Sequence, residues 1–334
     1  MPNSITKNKQ DEATLNHIIN VLLPDRKPVE WMELTEGFFN VAYSVRFEDG
    51  EEMIIKIAPD EKMDVMTHEI NIMFSEVDCL RLVKQQGGIP VPEVVMADFG
   101  RTIIPSDYFI MRKLPGVSFY SEQEYLSQDV KDRINHEVGV LTRKINEITG
   151  TRFGYYGQED KHGSSWYMVF CSILKDAIND AVRKSIVLPF DEKEIFKLLE
   201  NDQFIFEEVT TPRLIHWDIW AGNVFVKDEQ ITGLIDFERC LWGDIYLEVG
   251  FRSCFWDTAF LEGYGIKEFS PSQLQRIFWY DVYLFVISCL ECDYRGYDTR
   301  NTYEWGSSML TEAVRKVRDN QQLLNGSIVS EGVR

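Results

Sequence analysis

Apolar residues change their spacing about a third of the way along the chain. Val41-Ala-Tyr-Ser-Val-Arg-Phe47 alternates, Asp49-Gly50 is a hairpin-turn signal, and Met53-Ile-Ile-Lys-Ile57 supplies the returning strand. Two more strands are predicted over 94–99 and 108–112. A short helix over 11–23 places Leu15, Ile18, Ile19 and Leu22 on one face, and a longer helix over 64–86 is stopped by Gly87-Gly88. After Pro115-Gly116 the period becomes helical. Leu126, Val130, Ile134, Val138, Leu141, Ile145 and Ile148 form one stripe along a long helix. Further helices are predicted over 165–184, 192–201, 245–262, 271–293 and 302–321, with residues 323–334 frayed. One short β-rich patch over 214–237 interrupts them. The pattern predicts an α+β protein of two lobes: a small β-rich N-terminal lobe over 1–114 and a larger, mainly helical C-terminal lobe over 115–334.

Composition narrows the partners more than the fold. The chain has 334 residues, 44% hydrophobic and 27% charged, which suits a globular protein with a substantial core. Its net charge of −19, from 54 acidic and 35 basic residues, argues against nucleic acid and anionic membranes as partners. It is compatible with a cationic small-molecule substrate drawn in by the field. The opening residues are polar, without an apolar signal-type stretch. The apolar run 277–290 is interrupted by Asp281 and is too short to span a bilayer, so it predicts a buried core helix. A cytoplasmic location is expected. The 6 dispersed cysteines fit reduced thiols, and Cys289 and Cys292, a lone C-x-x-C inside that apolar run, fit core packing. No feature of the sequence sets the oligomeric state.

The chemistry concentrates in Leu-Ile-His216-Trp-Asp218-Ile-Trp-Ala-Gly-Asn223, followed by a predicted strand, a turn over 227–230 and a returning strand that ends at Ile235-Asp236-Phe237-Glu238. A hairpin of this length brings Asn223 and Asp236 to one point. An amide oxygen and a carboxylate there form a hard oxygen site suited to Mg²⁺ that also takes phosphate oxygens. Asp218 sits just before, in reach of an attacking hydroxyl that it can orient or deprotonate. The spacing is that of a kinase catalytic loop and metal aspartate.

His216-Trp-Asp218…Asn223 with Ile235-Asp236-Phe237-Glu238 resembles the aminoglycoside phosphotransferase family, small-molecule kinases with a protein-kinase-like fold. The family's G-D-P segment has its counterpart in Trp242-Gly243-Asp244-Ile245, and a later family aspartate in Glu248. Trp217 stands where the family has glycine. The resemblance implies a nucleotide site in the N-terminal lobe. Gly37 and Asn40 would belong to the phosphate loop Gly37-Phe38-Phe39-Asn40, with Phe38 or Phe39 either covering the phosphates or packed in the core. Lys56 would contact the α- and β-phosphates, oriented by Glu76. The backbone of Arg112 to Leu114 would bond the base, and Met111 would flank it. Glu69, seven residues before Glu76 on the same predicted helix, competes for Lys56.

The expected activity is transfer of the γ-phosphoryl group of ATP or GTP to a hydroxyl of a small molecule, with Asp218 catalytic and Asn223 and Asp236 holding Mg²⁺. The acceptor stays open among aminoglycosides, other antibiotics, sugars and amino alcohols. Glu238, Asp257, Glu262, Glu291 and Asp293 are candidates to hold its amino groups, and Trp256, Trp279, Tyr280 and Tyr283 either stack on a sugar or are core. Two rivals remain. A protein kinase is disfavoured because Phe237-Glu238 replaces Phe-Gly and no A-P-E segment follows. A non-catalytic nucleotide-binding scaffold is disfavoured by the intact Lys56, Asp218, Asn223 and Asp236 set.

Overall fold

The computed structural model describes residues 4–37, 39–248 and 257–331. The first lobe is a five-stranded antiparallel sheet in the order β1-β2-β3-β5-β4, formed by β1 (Pro28–Leu34), β2 (Val41–Phe47), β3 (Glu52–Ile57), β4 (Val94–Asp98) and β5 (Tyr108–Arg112). Helix α1 (Glu12–Leu22), capped by the Asp11 carboxylate, lays Leu15, Ile18 and Ile19 on one face of this sheet. Helix α2 (Ile72–Gln86) lies on the other face, where Val77, Leu80 and Val83 pack with Ile54, Phe109 and Met111. The alternation of β2 and β3 therefore feeds two separate cores, one on each side of the pleat.

The predicted helix over 64–86 is broken. Thr67–Glu69 is a single 3-10 turn, Ile70 is extended, and Asn71 takes φ +60° before α2 begins. Asparagine is among the few residues that accept the left-handed region cheaply. This break turns Glu69 away from the face that carries Glu76.

The second lobe is assembled around α4 (Gln128–Asn146), which follows β6 (Val117–Ser118) and the short α3 (Phe119–Glu122). Ser127 caps α4, and Val130, Ile134, Val138, Leu141 and Ile145 form its buried stripe. Then come β7 (Gly154–Tyr155), α5 (Trp166–Arg183), α6 (Glu192–Asn201), α7 (Gln203–Phe206), β8 (Arg213–Ile215), β9 (Val224–Lys227), β10 (Gln230–Leu234) and β11 (Leu241–Gly243). Two small sheets, β10-β9-β6 and β7-β11-β8, hold the functional loops against α4. Helices α8 (Thr258–Tyr264), α9 (Pro271–Arg295) and α10 (Asn301–Glu331) complete the lobe.

The single helix expected over 245–262 is not formed. Asp257 has extended backbone and caps α8, its carboxylate accepting the Phe260 N–H, and residues 249–256 lie outside the described residues. Of the frayed end expected over 323–334, the described part is corrected, since the α10 backbone stays helical to Glu331; residues 332–334 lie outside the described residues. Trp279, Tyr280 and Tyr283 are core, as are Cys289 and Cys292. Trp256 lies outside the described residues. Among the described residues no helix is long and apolar enough to cross a membrane.

Helices α4 and α8 approach closely where Gly139 faces the Phe260 carbonyl and Gly263 faces the His136 carbonyl. A Cβ on Gly263 would lie 1.9 Å from the His136 oxygen. Gly263→Ala is expected to cost about 2 kcal/mol, because a backbone carbonyl cannot step aside as a side chain can. Chemical denaturation measures it, and an unchanged midpoint would show that the two helices separate freely.

Candidate active site

The β9–β10 hairpin turns at Asp228 and Glu229, both at positive φ (+50° and +61°), the two-residue turn that matches strand twist. The Ile235 N–H donates to the Asn223 carbonyl at 3.0 Å and closes the hairpin base. Asn223 and Asp236 therefore stand side by side at its open end. Asp236 has φ +68° and starts a 3-10 turn over Phe237–Arg239, which throws Glu238 and Arg239 to the same end.

His216 ties the preceding loop to this hairpin. Its ring Nε2 lies 2.9 Å from the Ile235 carbonyl, and its Nδ1 accepts the Asp218 N–H at 3.2 Å. Both contacts agree on one tautomer, the neutral ring with its proton on Nε2. The Glu248 carboxylate accepts the backbone N–H groups of His216 at 2.6 Å and Trp217 at 3.3 Å. Two N–H groups just before Asp218 thus find a buried acceptor, and that is the work of the charge at 248. Asp244 is likewise buried and accepts from Arg276 Nε at 2.8 Å and the Tyr280 hydroxyl at 2.7 Å.

Trp217 has φ +65°, the backbone region that favours glycine. Its indole is 1% exposed and stacks on Tyr283 with ring centroids 5.1 Å apart. Burial of a tryptophan outweighs a left-handed backbone, which costs about 1–2 kcal/mol. Trp217→Gly should relax the backbone yet destabilise the protein by about 3 kcal/mol, the loss of the ring less the relief of φ. Urea unfolding measures it, and a gain in stability would mean that the backbone conformation dominates.

Asp218 lies beside Asn223, whose Nδ2 donates to its backbone carbonyl at 2.8 Å and approaches its Oδ2 at 3.3 Å. Burial pushes the Asp218 carboxyl up to about 8. Arg239 opposes that shift, and Asp236 and Glu238 add to it.

Lys56 sits in the middle strand β3, opposite Ala42 and Phe109. Its side chain is only 12% exposed, and its Nζ lies 2.7 Å from Glu76 Oε2, 3.1 Å from Glu238 Oε2 and in contact with Asp236 Oδ1. Burial works against the ammonium, but Asp236, Glu238 and Glu76 outweigh it and hold its pKa well above the ordinary value. Three carboxylates around one ammonium leave excess negative charge. Burial pushes Glu76 up to about 8, whereas at Asp236 the contact with Lys56 overcomes burial and keeps the carboxylate ionised. Ligand oxygens of Glu76, Asp236 and Glu238 lie within 4.8 Å of one another, a donor set that could hold a cation. Asn40 Nδ2 donates to Glu238 at 2.6 Å, and its Oδ1 is buried without a partner among the described residues. Hard oxygen donors, one of them an orphaned buried acceptor, fit a divalent cation and its water shell.

The remaining predicted residues divide. Glu69 does not compete for Lys56, because it is paired with Arg295 and also accepts the Met66 N–H at 2.8 Å. Gly37 and Asn40 stand in the β1–β2 loop, and a Cβ at Gly37 would meet only the Asn40 carbonyl at 3.7 Å. Phe38 lies outside the described residues, and Phe39 is buried. Met111 is 8% exposed on β5. The Arg112 N–H is taken by the Glu93 carbonyl at 2.9 Å and the Lys113 N–H by the Glu52 carbonyl at 3.3 Å. These two amides cannot also bond a base, which leaves the Leu114 amide and the carbonyls of the connector.

Among the acidic acceptor candidates, Asp257 is a helix cap that also accepts from Asn135 at 2.5 Å, Asp293 is paired with Arg300 at 2.6 Å, and Glu262 is exposed. Glu238 belongs to the Lys56 cluster, and Glu291 lies 3.7 Å from Arg239. Sequence reasoning missed the structural use of Glu238 and Glu248 and passed over Arg239 altogether. The 3-10 turn after Asp236 is the signal for the first and last of these.

A family model described as the phosphotransferase enzyme family matches residues 30–272. The chain is 22% identical over 283 residues to a probable ketoamine kinase of Vibrio parahaemolyticus, an alignment that spans 83% of this chain and 92% of that protein. Among solved structures, aminoglycoside phosphotransferase APH(4)-Ia superposes with a TM-score of 0.66 at 16% identity, covering 92% of this chain and 99% of its own. APH(2")-IIa, in a ternary complex with streptomycin and ATP, superposes with a TM-score of 0.59 at 16% identity, covering 91% and 97%. These likenesses establish the two-lobed, kinase-like fold.

Proposed function

Because the chain belongs to the phosphotransferase enzyme family, we propose that this kinase transfers the γ-phosphoryl group of ATP to a hydroxyl of a small, sugar-derived or amine-bearing molecule. One observation carries the reading. The largely enclosed Lys56 ammonium touches Glu76 and Asp236, and Asp236 shares the open end of one hairpin with Asn223, which in turn bonds Asp218. Phosphoryl transfer asks for placement and charge neutralisation rather than covalent chemistry, and this set supplies both.

The assignment of roles follows the donors. Asp218 orients the acceptor hydroxyl and takes its proton. Lys56, held by Glu76, meets the α- and β-phosphates, with Gly37 and Asn40 on the loop above them. The Leu114 amide and the connector carbonyls face the base, with Met111 beside it. Asn223 and Asp236 are the residues that would hold Mg²⁺, with Glu238 adjacent. When bound, the cation neutralises phosphate charge. Lys56 then has to release Asp236, and Glu76 and Glu238 remain as its partners.

The acceptor class rests on the relatives. A ketoamine kinase among them supports a sugar-derived amine, and the antibiotic kinases support aminoglycosides. The test is a coupled assay of nucleoside-diphosphate release, run with ATP and GTP against ketoamines, aminoglycosides, amino sugars and amino alcohols. Acceptor-dependent release with at least one class is expected. Release independent of every acceptor, or transfer to generic protein acceptors alone, would overturn the reading.

A further inference from the structure

Carboxylates dominate the surroundings of Asp218, yet three nitrogen-bearing side chains gather at one corner beside Trp217. Arg239 projects from the 3-10 turn after Asp236, its guanidinium over the Trp217 indole with 5.7 Å from Cζ to the ring centroid. Its nearest carboxylate oxygen is Glu291 Oε1 at 3.7 Å, too far for a hydrogen bond, and among the described residues it makes none. A guanidinium offers five N–H donors. This one is 16% exposed, with Asp218 the strongest charge acting on it.

Two further groups stand behind it. Arg295, 2% exposed, is paired through Nη2 with Glu69 and lies over the Phe39 ring at 4.6 Å, but its Nη1 is buried without a partner among the described residues. His68, 5% exposed, packs edge-on against Trp217 at 6.0 Å, and neither ring nitrogen has a hydrogen-bond partner among the described residues, Glu69 being 3.9 Å away. Burial pushes His68 down to about 3. Glu69 works against that shift, whereas Arg239 and Arg295 reinforce it. The ring is thus neutral and holds one N–H to donate. Buried donors without acceptors are costly, and native proteins leave few of them. Here they lie on separate elements near a guanidinium whose ion pair among the described residues is the long one to Glu291.

We propose that this corner binds an oxyanion of the acceptor, so that the molecule phosphorylated carries a carboxylate or phosphate group as well as its hydroxyl. Arg239 makes the first, bidentate contact. Arg295 Nη1 and His68 lie behind it and complete the donor set. Trp217, in the glycine position of the family motif, is the platform that holds Arg239 there. The inference rests on the proposed kinase reading, since Asp218 fixes where the hydroxyl lies, and it names a feature of the acceptor that the net charge of the chain does not suggest.

The test has a binding arm and a kinetic arm, which fail separately. With the nucleotide site filled by AMP-PNP and Mg²⁺, inorganic phosphate and acetate are titrated into wild type, Arg239→Met and Arg239→Lys, each checked for native circular dichroism. Saturable binding is expected in wild type, weakened about tenfold or more by methionine and partly kept by lysine. Equal binding in wild type and Arg239→Met, or none in wild type, overturns the proposal.

The acceptor assay is then run in matched pairs. Serine against serinamide reads a carboxylate, and glucosamine 6-phosphate against glucosamine reads a phosphate. A preference for the anionic member that collapses in Arg239→Met supports the proposal and says which oxyanion is used. An equal loss with both members of a pair places Arg239 on the transferred phosphoryl group and overturns it. Anion binding without turnover of any acceptor would sink the kinase reading and leave the oxyanion corner standing.

Discussion

Asp218→Ala is expected to lower kcat by about a thousandfold, about 4 kcal/mol of transition-state stabilisation, with little change in the affinity for nucleotide. The magnitude follows from the carboxylate's place. It is half-buried next to Asn223, on a loop pinned by His216 and Glu248, and no other described carboxylate shares that loop. The nucleotide contacts are assigned to other elements, so affinity measured with AMP-PNP should survive. The conservative Asp218→Asn separates charge from shape, because it keeps the side-chain volume and removes the base. Steady-state kinetics with a productive acceptor decide the matter. A kcat within threefold of wild type in either variant would remove Asp218 from the chemistry.

The second large effect concerns stability. Arg295→Met is expected to destabilise the folded state by about 3–5 kcal/mol at neutral pH, because it strands Glu69 in the interior as an unpaired carboxylate. Both side chains of this pair are 2% exposed, and Arg295 also lies over Phe39, next to the β1–β2 loop. In wild type, burial works against Glu69, but Arg295 outweighs it and holds the carboxyl below its ordinary value. A depressed carboxylate contributes stability above its unfolded pKa, and that contribution is lost as the pH falls through the folded value.

In Arg295→Met the sign reverses, since an unpaired buried carboxyl titrates above its unfolded value and takes up a proton as the pH falls. The difference between variant and wild type should therefore shrink on acidification from neutral pH toward the ordinary glutamate range. Adding Glu69→Gln should recover much of the loss, because no charge is then left unpaired. Chemical denaturation at several pH values measures all three. A pH-independent difference, or no rescue in the double variant, would show that packing rather than charge sets the cost.

These two cases mark what the sequence can and cannot reveal. The proximity of Asp218, Asn223 and Asp236 was legible because they lie on one continuous segment, where hairpin length alone dictates that the ends meet. Lys56 was legible because an apolar strand cannot carry an unpaired ammonium. The choice between Glu69 and Glu76 was not. The apolar period runs without interruption across Asn71, so nothing in it announces a residue at φ +60° that swings Glu69 out of register. The true partner of Glu69 lies 226 residues further on, and no local pattern encodes a contact at that distance. Arg239 escaped for a different reason. A net charge of −19 draws attention to the acidic residues, whereas among carboxylates the informative group is a cation held only by a long ion pair, as Arg239 is to Glu291. Trp217 was legible as a departure from the family motif, but its consequence, a buried ring that both packs on Tyr283 and carries Arg239, needed the fold.

The central claim is that the end of the β9–β10 hairpin holds the metal-bound phosphates of the nucleotide. Its most direct test is the affinity for AMP-PNP by titration calorimetry, with and without Mg²⁺, in wild type and in Asp236→Asn. The account predicts that Mg²⁺ tightens binding about tenfold or more in wild type and that Asp236→Asn abolishes most of this gain. A gain from Mg²⁺ that is the same in both proteins would contradict it.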